Sequence, residues 1–213
     1  LLGLVAEQIT KQSLELLAEQ RIFLPLQMKD SRYLPLDKPS QDVAYIQRIA
    51  PTENLKGDAD YQKLLPNYAQ PYLHAVVHDP TALRLAGVAG HAGVFGTADD
   101  LALFAQMLLN QGELKGQRVL SPLAVQRVLT PVVIGNQSRA LGWDMQTAYS
   151  APKGDLLLQE SFGHTGFTGA SIWIDPTSRT YVILLSNRVH PNRNSSITDL
   201  RAKLANIVAA GIY

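Results

Sequence analysis

The stretch SFGHTGFTGASIWIDP, residues 161–176, sets an imidazole and a hydroxyl, His164 and Thr165, among Gly163, Gly166 and Gly169. Glycines let a backbone come close to a ligand, and the two polar side chains offer hydrogen bonds, so the cluster suits substrate recognition. The same residues also suit a polar hairpin mouth with no ligand. A second pattern, HAVVHD, places His74 and His78 four residues apart, a spacing that binds a metal when it lies on a helix. It lacks the glutamate of H-E-x-x-H, and Pro71 and Pro80 leave little room for a helix, so the reading is a polar loop with no metal site.

The elements that must position these residues sit in a chain of 213 residues, long enough to bury a real core. Hydrophobic residues make up 46% and charged residues 17%, a soluble globular composition without the signature of disorder. A formal charge of +1 with no basic stripe excludes nucleic acid as the expected partner. The absence of cysteine removes disulfides and a thiol nucleophile. The apolar opening is broken by Glu7, Lys11, Glu15 and Glu19, so it reads as neither a signal peptide nor a transmembrane segment.

Helical spacing of Leu4, Val5, Ile9, Leu14, Leu17 and Ala18 predicts one amphipathic helix to about Gln20. It carries no capping residue, which suggests an element that starts further upstream. From Phe23 to Ala86 seven prolines forbid a long helix or a central strand, and a stretch this irregular is expected to rest on another part of the protein. Thr97 then caps a clear helix with Asp99 and Asp100 in its first turn and Gly112 after its end. Ser121 and Pro122 open a shorter one.

After Arg139 come short β-prone runs, LGWDMQT, LLLQESF, GASIWIDP and RTYVILLSNRV, consistent with an antiparallel meander. DPTSR reads as a hairpin, Arg188 as a solvated strand end, and Trp143 and Trp173 as core. A closing helix capped by Ser196 or Thr198 is expected to turn Ile197, Leu200, Leu204, Ile207 and Val208 toward the sheet. The fold class expected is α+β: an antiparallel sheet flanked by helices, plus a helical region, with the HTG turn at the edge of the meander.

Three separated motifs in a consistent order carry a resemblance. GHTGFTGASIWIDPTSRTYVILLSNRVHP looks like the third conserved element of the serine β-lactamase and penicillin-binding-protein superfamily, in its class C-like branch. GVAGHAGVFGTADDLALFAQMLL resembles that branch's Gly-rich loop and helix, and the opening helix with PLQMKDSRY resembles its helix followed by PLGM.DT. The resemblance implies a β-lactamase/DD-peptidase-like fold with its active site in a groove between the sheet domain and a helical region. On this reading residues 1–213 are the rear portion of one such domain, with 1–138 mainly helix and loop and 139–213 the meander and closing helix.

Carried over residue by residue, the resemblance makes His164, Thr165 and Gly166 substrate-binding. His164 takes the place of the usual lysine, Thr165 bonds a substrate carboxylate or carbonyl, and the backbone N–H of Phe167 is one of two oxyanion donors. His78, Asp79 and His91 are implied as rim residues of the groove. An ordinary imidazole is mostly neutral at pH 7 where lysine is charged, so recognition of an anionic β-lactam is weakened and an ester or amide substrate stays open.

The nucleophile of such enzymes is the serine of S-x-x-K at a helix start, helped by that lysine or by the tyrosine of Y-x-N. The one S-x-x-K, Ser150 to Lys153, lies among Pro152 and Gly154 just before the third motif and reads as a chance match in a turn. No Y-x-N or S-x-N occurs. The expectation is therefore a serine hydrolase acting through an acyl-enzyme on a β-lactam, D-amino-acid peptide or ester, with this chain supplying the HTG strand but not the nucleophile. No cofactor is expected. The expected partners are a small-molecule or peptidoglycan-like substrate and an N-terminal segment of the same domain. A periplasmic or cell-envelope location follows from the resemblance alone. The alternatives are a non-catalytic peptidoglycan- or partner-binding module of the same fold, and a zinc hydrolase built on His74, His78 and His91.

Overall fold

The computed structural model describes residues 1–55 and 58–212. The chain forms two compact units, one of Leu1–Asp100 with Asn187–Ser195 and one of Leu101–Ser186 with Ser196–Tyr213, so residue 138 lies inside the second.

In the first unit the opening pattern does not run as one helix. α1 spans Leu2–Thr10 and stops at Lys11, whose φ of 57° is left-handed. α2 spans Leu14–Ala18 and continues through a wide turn at Glu19–Phe23 into α3, Leu24–Leu26. The break is stable because its polar groups are satisfied locally: the Lys11 amide donates to the Glu7 carbonyl, and the Leu14 amide donates to the Glu7 carboxylate at 2.8 Å. After α3, Gln27 adopts φ 59° where the similar motif has glycine.

β1 (Arg32–Tyr33) pairs antiparallel with β2 (Val94–Phe95). Between them lie three short helices, α4 (Val43–Arg48), α5 (Ala59–Leu64) and α6 (Pro80–Arg84). Each begins at an aspartate, Asp42, Asp58 or Asp79, whose carboxylate accepts backbone amides of the first turn. The proline-rich stretch also has a core of its own: Tyr61, Leu73, Val77, Ala82, Leu83 and Ala89 are buried together. Its apolar residues come from loops as much as from helices, which is why no period was visible.

α7 spans Ala98–Leu109. The Asp100 amide donates to the Thr97 hydroxyl at 3.3 Å, as expected of a cap. The buried Asp100 carboxylate meanwhile accepts from the Asp30 amide and the Ser31 hydroxyl, both at 2.8 Å, and so ties the segment after α3 to the start of α7.

In the second unit β3 (Glu113–Leu114) and β4 (Gln117–Arg118) form a small ribbon. α8 spans Pro122–Leu129, with the Ala124 amide donating to Ser121. The main sheet is a six-stranded antiparallel meander in the order β10-β9-β8-β7-β6-β5. Its strands are β5 (Val132–Ile134), β6 (Gln137–Ala140), β7 (Trp143–Gln146), β8 (Phe162–Thr165), β9 (Ser171–Asp175) and β10 (Thr180–Leu184). DPTSR is the β9–β10 hairpin, where the Asp175 carboxylate accepts from the Thr177 amide and the Ser178 hydroxyl.

Two sequence expectations are corrected here. LLLQES is not a strand, because Leu157 leaves the sheet to pack with Trp173, Ala205 and Ala209. The closing helix α9 (Thr198–Ala210) buries Arg201, Ala205 and Ala209, while Leu200 and Ile207 face solvent. The volume of Trp173, 2% exposed, leaves room on the helix only for alanines, so small residues rather than the large apolar ones mark the packed face.

Replacing Asp100 by alanine leaves the Asp30 amide and the Ser31 hydroxyl without their acceptor. It is expected to cost about 2 kcal/mol in urea unfolding, against a few tenths for the exposed neighbour Asp99→Ala.

Candidate functional site

His164 and Thr165 lie on a strand, as the resemblance implies, and not in the turn that the glycine spacing suggests. They are the last two residues of β8, paired across from Ile172 and Ser171 of β9. β8 is also not an edge strand, since it lies between β7 and β9, but on the β7 side its only Cα partner is Asp144, opposite Gly163. The strand is thus fixed on both sides up to Gly163 and on one side beyond it. This gives the two polar residues a rigid base and leaves their other flank outside the β7 ladder.

Gly163 explains why the strands fit so closely: a Cβ there would run into the Ile172 carbonyl and the Trp173 ring. Phe162, buried, meets Trp143 edge-on at 5.1 Å between centroids, and Trp143 in turn stacks with Phe104 at 6.4 Å. The Trp143–Phe162 contact joins β7 to β8, and the Trp143–Phe104 contact joins β7 to α7.

The imidazole of His164 meets the main chain of the next residue, Nδ1 2.9 Å from the Thr165 carbonyl oxygen. A carbonyl only accepts, so Nδ1 is the donor in this contact.

Beyond Thr165 the chain turns through residues 166–170 into β9. The Gly166 amide donates to the Ala170 carbonyl at 2.7 Å and the Gly169 amide to the Gly166 carbonyl at 3.2 Å. Gly169 has φ 136° and sits against Ser186, whose hydroxyl donates to the Gly169 carbonyl at 3.0 Å. Gly166 differs: a Cβ there would meet only Ala170 at ordinary contact distance, 3.5 Å. Packing therefore requires glycine at 163 and 169 but not at 166.

Sequence reasoning missed Arg201 of α9. This buried guanidinium donates from Nη2 to the Gly166 carbonyl at 2.9 Å and to the Ala170 carbonyl at 2.6 Å. The available signal was Arg201 standing one and two helical turns before Ala205 and Ala209, on the small-residue face.

Ser150 and Lys153 lie at a single 3₁₀ turn, Ala151–Lys153. The buried Ser150 hydroxyl donates to Asp144 at 3.1 Å and accepts the Thr147 amide at 2.7 Å, as turn residues do. The Lys153 ammonium donates to the Met145 carbonyl at 3.1 Å. Burial holds its pKa below the ordinary lysine range, against the pull of Asp144 and Glu160.

In the first unit His78 and His74 do not converge. His74 Nε2 lies 2.8 Å from the Ile49 carbonyl, and His78 Nε2 lies 2.7 Å from the Glu53 carboxylate. Glu53, itself buried, also pairs with Arg193, and the Tyr61 hydroxyl donates to the His78 carbonyl. Burial, with help from Glu53, pushes the Tyr61 phenol up to about 12. Among the described residues no group of three His, Cys, Asp or Glu side chains stands together as a metal site.

Asp79 caps α6 through the Ala82 amide at 2.7 Å and meets His91 Nε2 at 3.0 Å. Burial raises its carboxyl, but the Ala82 and Thr81 amides and His91 outweigh it and leave the pKa below the usual carboxylate range. Of the three candidate rim residues, His78 is therefore held inside its unit by Glu53, while the exposed His91 pairs with Asp79.

The family model described as Beta-lactamase matches residues 1–207. The chain is 32% identical over 207 residues to a Bacillus subtilis protein named N-acetylmuramyl-L-alanine amidase, covering 93% of this chain and 46% of that protein. It is also 32% identical to an Escherichia coli K12 protein named "Putative D-alanyl-D-alanine carboxypeptidase", with the same shares, 93% and 46%. The chain thus spans about half the length of the curated relatives it matches. Among solved structures, a β-lactamase of Mycobacterium bovis shares the fold, with TM-score 0.60 and 17% identity over 99% of this chain and 61% of that one.

Two outcomes follow from this geometry. Gly163→Ala is expected to cost about 1–3 kcal/mol by overpacking against Trp173, whereas Gly166→Ala leaves the urea midpoint within experimental error. Because the folded Asp79 pKa is depressed, its contribution to stability is complete above the unfolded value, about 4, and is lost as pH falls through the folded value. Asp79→Asn keeps the capping oxygen but abolishes that acid dependence, which acid titration of the two melting curves measures.

Proposed function

The chain belongs to the β-lactamase family, and from that premise we propose that it serves a serine hydrolase that works through an acyl-enzyme on a D-amino-acid peptide, a β-lactam or an ester. The observation that carries the proposal is β8 with its turn: Thr165 and Gly166 at the end of a strand fixed by β9, followed by a turn whose carbonyls are pinned from behind. In this reading Thr165 bonds the substrate, Gly166 leaves room for its approach, and the Phe167 amide receives the oxyanion. His78, Asp79 and His91 remain the candidate rim residues.

The step proposed is ordinary acyl transfer. A serine oxygen attacks the substrate carbonyl carbon, and its proton passes through a base to the departing nitrogen or oxygen. Water then hydrolyses the resulting ester. The serine and base are assigned to S-x-x-K and Y-x-N elements of the whole protein, since Ser150 is committed to Asp144 and Thr147. The names of the two relatives, an amidase and a carboxypeptidase, support an amide bond next to alanine as the target. A peptidoglycan-like substrate and a cell-envelope location follow from the same names. Among the described residues no helix is long and apolar enough to cross a membrane.

The test is acylation of the whole protein by a fluorescent penicillin and by a fluorophosphonate, with the adduct located by peptide mass. The expected result is a serine adduct that Gly166→Ala suppresses by about 100-fold without loss of stability. An adduct on Ser150 overturns the assignment of the nucleophile. No adduct with either probe favours the binding module. His164→Lys, which restores a fixed charge, is expected to raise the rate with the anionic penicillin by about 10-fold and to leave a neutral ester unchanged.

A further inference from the structure

We propose that Arg201 is a positioning residue that aims and polarises the Phe167 amide from behind; this rests on the reading of that amide as an oxyanion donor. The argument begins with one peptide unit. The carbonyl of Gly166 and the N–H of Phe167 belong to the same peptide, and the one cis peptide among the described residues is elsewhere, at His190-Pro191. In a trans peptide these two groups point in opposite directions. A donor that fixes the carbonyl therefore fixes the direction of the N–H.

Arg201 is such a donor. Its Nη2 reaches the Gly166 carbonyl at 2.9 Å and the Ala170 carbonyl at 2.6 Å, and so spans both ends of the turn. The Gly169 amide adds a second bond to the Gly166 carbonyl at 3.2 Å. The guanidinium is planar and always charged, and α9 buries it on the same face as Ala205 and Ala209 against the Trp173 cluster. Its guanidinium is therefore held on the buried face of α9 rather than in solvent.

The second effect is electronic. A cation bonded to an amide oxygen draws density from the nitrogen and makes the N–H a stronger donor, and the low dielectric of a buried site amplifies the effect. Negative charge that develops on a substrate oxygen at the Phe167 amide would meet a peptide already polarised toward it. Arg201 touches no substrate in this arrangement and acts only through the peptide.

The experiment compares Arg201→Met, Arg201→Lys and Ser186→Ala in the whole protein. Two quantities are read: kcat and KM with a p-nitrophenyl ester, and the NMR shift of the Phe167 amide proton. Loss of a single oxyanion donor costs about 100- to 1,000-fold, so a donor weakened and misaimed is expected to cost about 10- to 100-fold in kcat with little change in KM. The Phe167 amide proton is expected to move upfield in Arg201→Met and by less in Arg201→Lys. Ser186→Ala removes a bond to the same turn but not to this peptide, and is expected to leave both readings near wild type.

A folded Arg201→Met protein with wild-type kcat and an unmoved Phe167 amide overturns the proposal. So does a Ser186→Ala protein that loses as much as Arg201→Met, since general loosening of the turn then explains both. If Arg201→Met does not fold, Arg201→Lys decides by the same two readings. A wild-type protein that turns over no ester and forms no adduct with the penicillin or the fluorophosphonate refutes the proposed function instead, and the amide shift alone still decides whether Arg201 polarises the peptide.

Discussion

The packing of Trp173 is the constraint from which the second unit is built. Its ring occupies the place that a side chain at 163 would need, so β8 can pair with β9 only if residue 163 is glycine. On its other contacts Trp173 meets Leu157, Ala205 and Ala209, which pulls the 155–158 segment out of the sheet and brings α9 in on its alanines. The helix arrives with Arg201 buried on the same face, one turn before Ala205. Position, register and the polar turn after β8 thus trace back to where one indole fits.

The first unit is held differently. Its short helices are capped by aspartates, and buried carboxylates join segments distant in sequence: Asp100 holds residues 30 and 31, and Glu53 holds His78 and Arg193. A buried carboxylate with several donors is costly to disturb, because removing it leaves those donors unsatisfied. Polar ties of this kind let a proline-rich stretch with little regular structure settle in one arrangement around Tyr61 and Leu73.

The two arrangements bear on the site in different ways. In the proposed function, a strand end followed by a turn pinned at its carbonyls suits recognition of a developing charge, because little reorganisation is needed when the charge appears. The chain that carries this strand and turn belongs to the β-lactamase family and spans about half the length of the relatives it matches. The histidines of the first unit, by contrast, are engaged by Glu53, Asp79 and backbone carbonyls, which suits them to holding loops in place.

Local chemistry was legible in the sequence by itself. Thr97 and Ser121 as caps, the DPTSR hairpin, the strands around Trp143 and Trp173 and the α+β class all follow from rules that act within a few residues. The ordered motifs also carried the family. Tertiary structure alone decided what depends on distant partners. It broke the opening helix at Lys11 through Glu7, set β8 between β7 and β9 rather than at the edge of the meander, and turned α9 so that Arg201 rather than Leu200 is buried. In each case periodicity describes what a segment prefers in isolation, whereas the outcome was set by a neighbour's volume or hydrogen-bonding demand, which no window of sequence contains.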